Sequence, residues 1–152
     1  MTRVDFYVLP GHDPHARRVM ACKLIEKAYR QGHRLYLKTD TPEETRQLDD
    51  LLWTFRQGSF VPHELAEASA GEAPVLIGHG PPPEAMRDVL VNLGREVPGG
   101  FEAFERVAEL VNQEEETRLA GRERYKVYQK AGCTLQTHQL DDPLRAERPA
   151  DG

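Results

Sequence analysis

The tightest constraint on this chain is an alternation of two kinds of apolar run near its start. Val4–Leu9, VDFYVL, is short, β-branched and aromatic, and it stops at Pro10-Gly11, as a strand does. His15–Gln31 follows, with Val19, Cys22, Leu24, Ile25, Ala28 and Tyr29 at three- and four-residue spacing and Gly32 where a C-terminal cap belongs. This predicts a helix. Arg34–Thr39, RLYLKT, alternates in polarity and predicts a second strand. Thr41 then supplies a cap, Pro42 a first-turn proline, and Glu43 and Glu44 acids at the positive end of a helix dipole, so a second helix runs to about Trp53. Strand, helix, strand, helix is the grammar of an α/β fold with parallel strands.

The rest of the chain extends the pattern. Pro74–Gly78 is fully apolar and predicts a central strand, and Asp88–Leu93 predicts another. Gly78–Pro83 between them is a loop, because three consecutive prolines donate no ladder hydrogen bonds. In Phe101–Val111 the first half suits a short helix, while the second half fits helix or strand. Glu114–Lys130 predicts a long helix with Gly132 as its stop, and Thr134–Leu140 a last extended segment. Asp141–Gly152 has two prolines and almost no apolar residues, and is expected to fray. At 152 residues the expectation is one α/β domain over 1–140 and a flexible tail over 141–152.

Composition removes several function classes. No run approaches the roughly 18 apolar residues of a membrane helix, and the N-terminus has no signal-peptide pattern, so the expected location is cytoplasmic. Cys22 and Cys133 have no partner at disulfide-framework or zinc-finger spacing, and Cys22 falls on the apolar helix face as a core residue. A formal charge of −5 argues against non-specific duplex binding. The first turn, PGHDPHAR, has neither GxGxxG nor GxxxxGK, the patterns that let a phosphate approach a helix N-terminus. His12, Asp13 and His15 on that turn fall short of a closed zinc site and read as solvated turn residues. There is no GxSxG elbow and no base beside either cysteine. The expectation is therefore no catalytic residue, no metal and no cofactor. The competing reading is a nucleotide-binding or hydrolytic enzyme using strand-end loops near His12, His15 and His79.

Two features stand out from this background. Residues 118–130, RLAGRERYKVYQK, carry five Lys or Arg and one Glu, a local charge of +4 that leaves −9 for the remainder. Arg118, Arg122, Lys126 and Lys130 recur every four positions, with Tyr125 and Tyr128 interleaved, a cationic ridge suited to an acidic peptide. A solvated helix face and direct single-strand binding are the other readings of that ridge. The second feature is LLWTFRQGSFVPHEL, residues 51–65, where the only tryptophan and two phenylalanines crowd together. Trp53 and Phe60 there either close one edge of the core or anchor a protein partner.

The segments DFYVL, LDDLLWTF-x3-SFVPHELA, APVLIG, DVLVNL and RERYKVYQKAG-x2-L-x-T, in this order across about residues 4–140, resemble the chi subunit family of bacterial DNA polymerase III. That resemblance implies a Rossmann-like domain, a mostly parallel central sheet with helices on both faces, which has lost nucleotide binding. It also implies a non-enzymatic accessory role at the clamp loader, with DNA contact only indirect and no membrane contact. One face would bind the acidic C-terminal tail of single-stranded DNA-binding protein, which ends in Pro-Phe and a free carboxylate. Carried over by position, that site is Arg122, Tyr125 and Lys126, with Val111, Leu135 and Thr137 nearby. Another face would bind the psi subunit through Trp53, Phe60, Val61, Pro62, His63 and Leu65, and a DNA-repair helicase is an alternative occupant of it. Gly121 departs from a good basic helix at roughly 1 kcal/mol relative to Ala; it either loosens the helix or lets a partner approach. Asp141 and Asp142 would compete weakly with an acidic peptide.

Overall fold

The computed structural model describes residues 2–68 and 72–143. Seven strands, β1 (Arg3–Val8), β2 (Leu35–Lys38), β3 (His63–Leu65), β4 (Val75–Gly78), β5 (Val89–Asn92), β6 (Arg106–Val111) and β7 (Thr134–Gln139), join one sheet. Their spatial order is β3-β4-β2-β5-β6-β1-β7, and every neighbouring pair is parallel. The helices are α1 (Pro14–Arg30), α2 (Pro42–Thr54) and α3 (Glu115–Lys130). Side chains alternate across a strand. Leu35, Leu37, Val75 and Ile77 thus meet α1 and α2 on one face, and Val4, Phe6, Val107 and Val111 meet Tyr128 of α3 on the other. The Rossmann-like expectation holds, and the mostly parallel sheet is wholly parallel among the described residues.

The helix starts follow the sequence closely. Asp13 caps α1 by accepting from His15 N at 2.9 Å, and Thr41 caps α2 by accepting from Glu44 N at 3.1 Å. Cys22 is fully buried, as its helical spacing implied, and burial pushes its thiol up to about 12. Phe101–Val111 resolves into a 3-10 turn at Phe101–Ala103 and then strand β6. β6 is covered on both faces, so VAELV lacks the polar–apolar alternation of a half-exposed strand and periodicity cannot separate it from helix. Strand β3 lies inside the aromatic stretch, where no regular element was expected. Of the tail, residues 144–152 lie outside the described residues. Residues 140–143 stay close to the domain: Leu140 N donates to Val8 O at 2.9 Å, and Lys23 Nζ to Pro143 O at 2.8 Å.

One polar network fixes α3 on the sheet. Glu109, on β6, is fully buried and accepts from Arg124 Nε at 2.9 Å, Tyr128 Oη at 2.6 Å and Asn92 Nδ2 at 2.9 Å. Burial pushes the Glu109 carboxyl up, against the pull of the Arg124 charge and the hydrogen bonds of Tyr128, Asn92 and Arg124. Arg124 Nη1 also donates to Arg95 O at 2.9 Å, tying in the loop after β5. A second carboxylate fixes the edge strand β7. Asp5 on β1 is fully buried, 2.9 Å from Arg106 Nε, 3.0 Å from His138 Nε2 and 3.2 Å from Arg3 Nε. His138 also stacks on Tyr7, with ring centroids 4.9 Å apart.

Replacing Arg124 by Ala leaves Glu109 buried and unpaired, so stability is expected to fall by about 3–5 kcal/mol. The exposed Arg122→Ala should stay within about 0.5 kcal/mol of the parent in the same urea titrations. Asp5 gives a pH prediction. Burial alone would raise its carboxyl, but the His138 and Arg3 hydrogen bonds and the Arg106 and Arg3 charges outweigh burial and hold it below its ordinary value. A depressed folded value stabilises above the unfolded value, about pH 4, and that stability is lost as pH falls through the folded value. Asp5→Asn is expected to lower the melting temperature at neutral pH and to flatten the loss of stability below about pH 4, which thermal melts from neutral to acid would read.

Candidate functional site: a basic groove and an aromatic face

Between α3 and the β1–β7 edge lies a groove of about 360 Å³. Its floor is Phe6, Val8 and Val111, its helix wall Arg118, Arg122 and Tyr125, and its far rim Thr137 and Gln139. The register explains the floor, since β1 pairs Val8 with Val111 on one side and Phe6 with Thr137 on the other. The Tyr125 ring lies 5.3 Å from that of Phe6, at 57°. Among the described residues, two arginines line the groove and no carboxylate does. An apolar floor under a cationic wall suits a ligand with an apolar end and negative charge beside it.

The predicted ridge is divided by the structure. Arg122, Tyr125, Val111 and Thr137 come together in the groove. Lys126 faces the other flank of α3, beside Leu119 and Val127, where it pairs with Glu123 at 3.3 Å. Leu135 is half-buried against the α3-side core instead of lining the groove. Two residues of the 118–130 stretch, one of them the interleaved Tyr128, are not on the surface at all. Arg124 is 3% exposed and Tyr128 is fully buried, both turned inward to Glu109. Arg124 stands off the four-residue spacing of Arg118, Arg122, Lys126 and Lys130, but no sequence rule shows that it finds a buried carboxylate. Sequence reasoning also missed Phe6, Val8 and Gln139, which only strand register brings to the groove.

Gly121 has a structural reason. A Cβ on it would stand 2.5 Å from Val111 Cγ1, so the missing side chain lets α3 lie close on β6 and lets Val111 reach the groove floor. Neither expected role, a loosened helix or room for a partner, is required by that geometry.

The aromatic stretch forms a second surface, beside the opposite edge strand β3. Trp53 is 44% exposed and Phe60 67%, with ring centroids 5.6 Å apart. His63 lies under Trp53 at 4.0 Å, its Nδ1 2.6 Å from Val61 O and its Nε2 3.0 Å from Asp49 O. Val61 and His63 are buried and Leu65 packs partly on the α1–α2 core, so Trp53, Phe60 and the half-buried Pro62 form the accessible part. Glu26 of α1 holds this loop by accepting from Ser59 Oγ and pairing with Arg56 at 3.1 Å.

At the strand C-terminal ends, where α/β sheets take ligands, the helix starts carry their own acids. Asp13 caps α1, and Glu114 caps α3 by accepting from Glu116 N at 3.2 Å and Thr117 N at 2.9 Å. Carboxylates thus occupy the places a phosphate would take and repel it. His12 is exposed on the turn and His15 in the first turn of α1, while His79 is half-buried in the loop after β4.

Gly121→Ala is expected to destabilise by about 1–3 kcal/mol although Ala is the better helix former, because its methyl overpacks against Val111. Adding Val111→Ala should recover part of that loss in the same denaturation measurement, since it removes the clashing Cγ1.

Residues 1–136 match the family described as DNA polymerase III chi subunit, HolC. The DNA polymerase III subunit chi of Pseudomonas aeruginosa is 50% identical over 140 residues, which cover 92% of this chain and 98% of that protein. The Escherichia coli subunit chi is 33% identical over 143 residues, covering 90% and 97%. That of Haemophilus influenzae is 28% identical over 138 residues, covering 90% and 96%. The chain belongs to the DNA polymerase III chi subunit family.

Proposed function

We propose that this chain is a replication adaptor of the clamp-loader complex, working in the bacterial cytoplasm and touching DNA only through its partners. In this reading the α3 groove holds the acidic C-terminal tail of single-stranded DNA-binding protein. The terminal phenyl ring lies on Phe6, Val8 and Val111 beside Tyr125, and Arg118 and Arg122 meet the free carboxylate and the preceding acids. The observation that carries this is the groove itself: an apolar floor walled by two arginines, with no lining acid among the described residues, on a chain of net charge −5. Lys126, on the flank, adds long-range attraction more than contact. The Trp53–Phe60 face holds the psi subunit or, in turn, a DNA-repair helicase. From β3 to β1, which carries the groove floor, is five strand spacings, about 24 Å at 4.8 Å each, which leaves room for both partners at once.

Calorimetric titration with a short acidic peptide ending in Pro-Phe tests the groove. Binding in the micromolar range is expected, fading as salt rises because exposed charge attraction is screened over about 8–10 Å. Arg122→Ala should weaken it at least about tenfold through loss of charge-assisted hydrogen bonds, and Lys126→Ala less, given its place on the flank. No binding to the folded protein at low salt would refute the assignment. Phe60→Ala should leave the peptide titration unchanged and weaken capture of psi.

A further inference from the structure

A cavity of about 190 Å³ lies beneath the C-terminal half of α1, on the sheet face opposite the groove. Its apolar side is Leu24 and Ala28 from α1, Val89 and Val91 from β5 and Ala108 from β6, and Tyr7 and Gln31 add polar groups to the lining. Its charged lining residues are Lys27 and Arg106, both cations. Arg106 is held in place by two bonds, Nε to Asp5 at 2.9 Å and Nη2 to the Tyr7 hydroxyl. Its third nitrogen, Nη1, and the exposed Lys27 ammonium have no side-chain partner among the described residues. Asp5, the carboxylate bound to Arg106, is engaged by Arg3, Arg106 and His138 together, so two permanent cations already face that one anion.

An apolar cavity of about 150 Å³ holds a benzene molecule, so this one has room for a phenyl ring or a short alkyl chain. The guanidinium is preorganised by Asp5 and Tyr7, while Lys27 supplies a second, mobile charge. We propose that this cavity binds a small carboxylate with a ring-sized apolar body, the carboxylate meeting Lys27 and Arg106 at the mouth and the body filling the space below α1. The site is separate from the α3 groove, and it stands whether or not that groove takes a peptide.

The test is a methyl and amide NMR titration of the whole chain with 3-phenylpropionate, and in parallel with the uncharged 3-phenylpropanol. Saturable shifts are expected at Leu24, Val89, Val91 and Ala108, with the alcohol weaker by about tenfold or more, the effect of losing a charge-assisted contact. Lys27→Ala, at an exposed position, should weaken the acid about tenfold and leave the alcohol unchanged. Ala28→Leu should block both by filling the space while leaving both cations in place. Equal binding of acid and alcohol would overturn the proposal, reducing the site to an apolar void. Shifts confined to Val8, Val111 and Tyr125 would overturn it too, because the acid would then be in the α3 groove. A folded protein with no saturable shift would overturn it outright.

Discussion

Glu109 is a carboxylate on a strand buried on both faces, and three donors from β5 and α3 converge on it. A buried carboxylate left unpaired costs several kcal/mol, so the helix that brings Arg124 and Tyr128 has little freedom in where it lies. Everything on the α3 side depends on that placement. The same helix turns Arg118, Arg122 and Tyr125 toward the β1–β7 edge because they stand on the flank next to the inward-facing positions. A network that binds one face of a helix to the sheet thereby aims the next face at a ligand.

Close contact between α3 and β6 completes the groove, and Gly121 makes it possible. The residue costs the helix some propensity, about 1 kcal/mol. Its missing Cβ brings Val111 to the helix backbone. The apolar floor and the cationic wall meet there, at a distance that a larger residue at 121 would widen. On the sheet's other face Asp5 does comparable work for β7. Three basic groups from β1, β6 and β7 share one buried carboxylate, which keeps an otherwise polar and exposed edge strand in register and carries Thr137 to the groove rim.

The two exposed surfaces are separated by the sheet itself. The aromatic face depends on Glu26, which draws the loop carrying Ser59 and Arg56 onto α1 and leaves Trp53 and Phe60 outside. The groove depends on Glu109 at the other end of the strand order. No described residue belongs to both networks, so one surface can be altered without disturbing the other.

Much of this was legible in the chain. The strand–helix alternation, the Thr41 cap, the burial of Cys22 and the stop at Gly132 follow from local spacing and backbone chemistry, and these act between residues near in sequence. The ordered motifs that mark the chi family were legible for the same reason, as was the clustering of Arg122 and Tyr125. Sequence could not show that Tyr128 leaves the basic ridge for the core, or that Arg124 joins it there, because their partner, Glu109, stands on another element and burial on both faces hid the strand it belongs to. Nor could it place Phe6 and Val8 beneath Arg122, since parallel register is set by crossovers many residues long. The sequence by itself determined most of the elements, β3 and the strand half of Phe101–Val111 apart, and where the charge is concentrated. Only the tertiary structure decided which charges face a partner and which are buried as internal ties, because pairing a buried carboxylate outweighs the local preference of any one side chain for water.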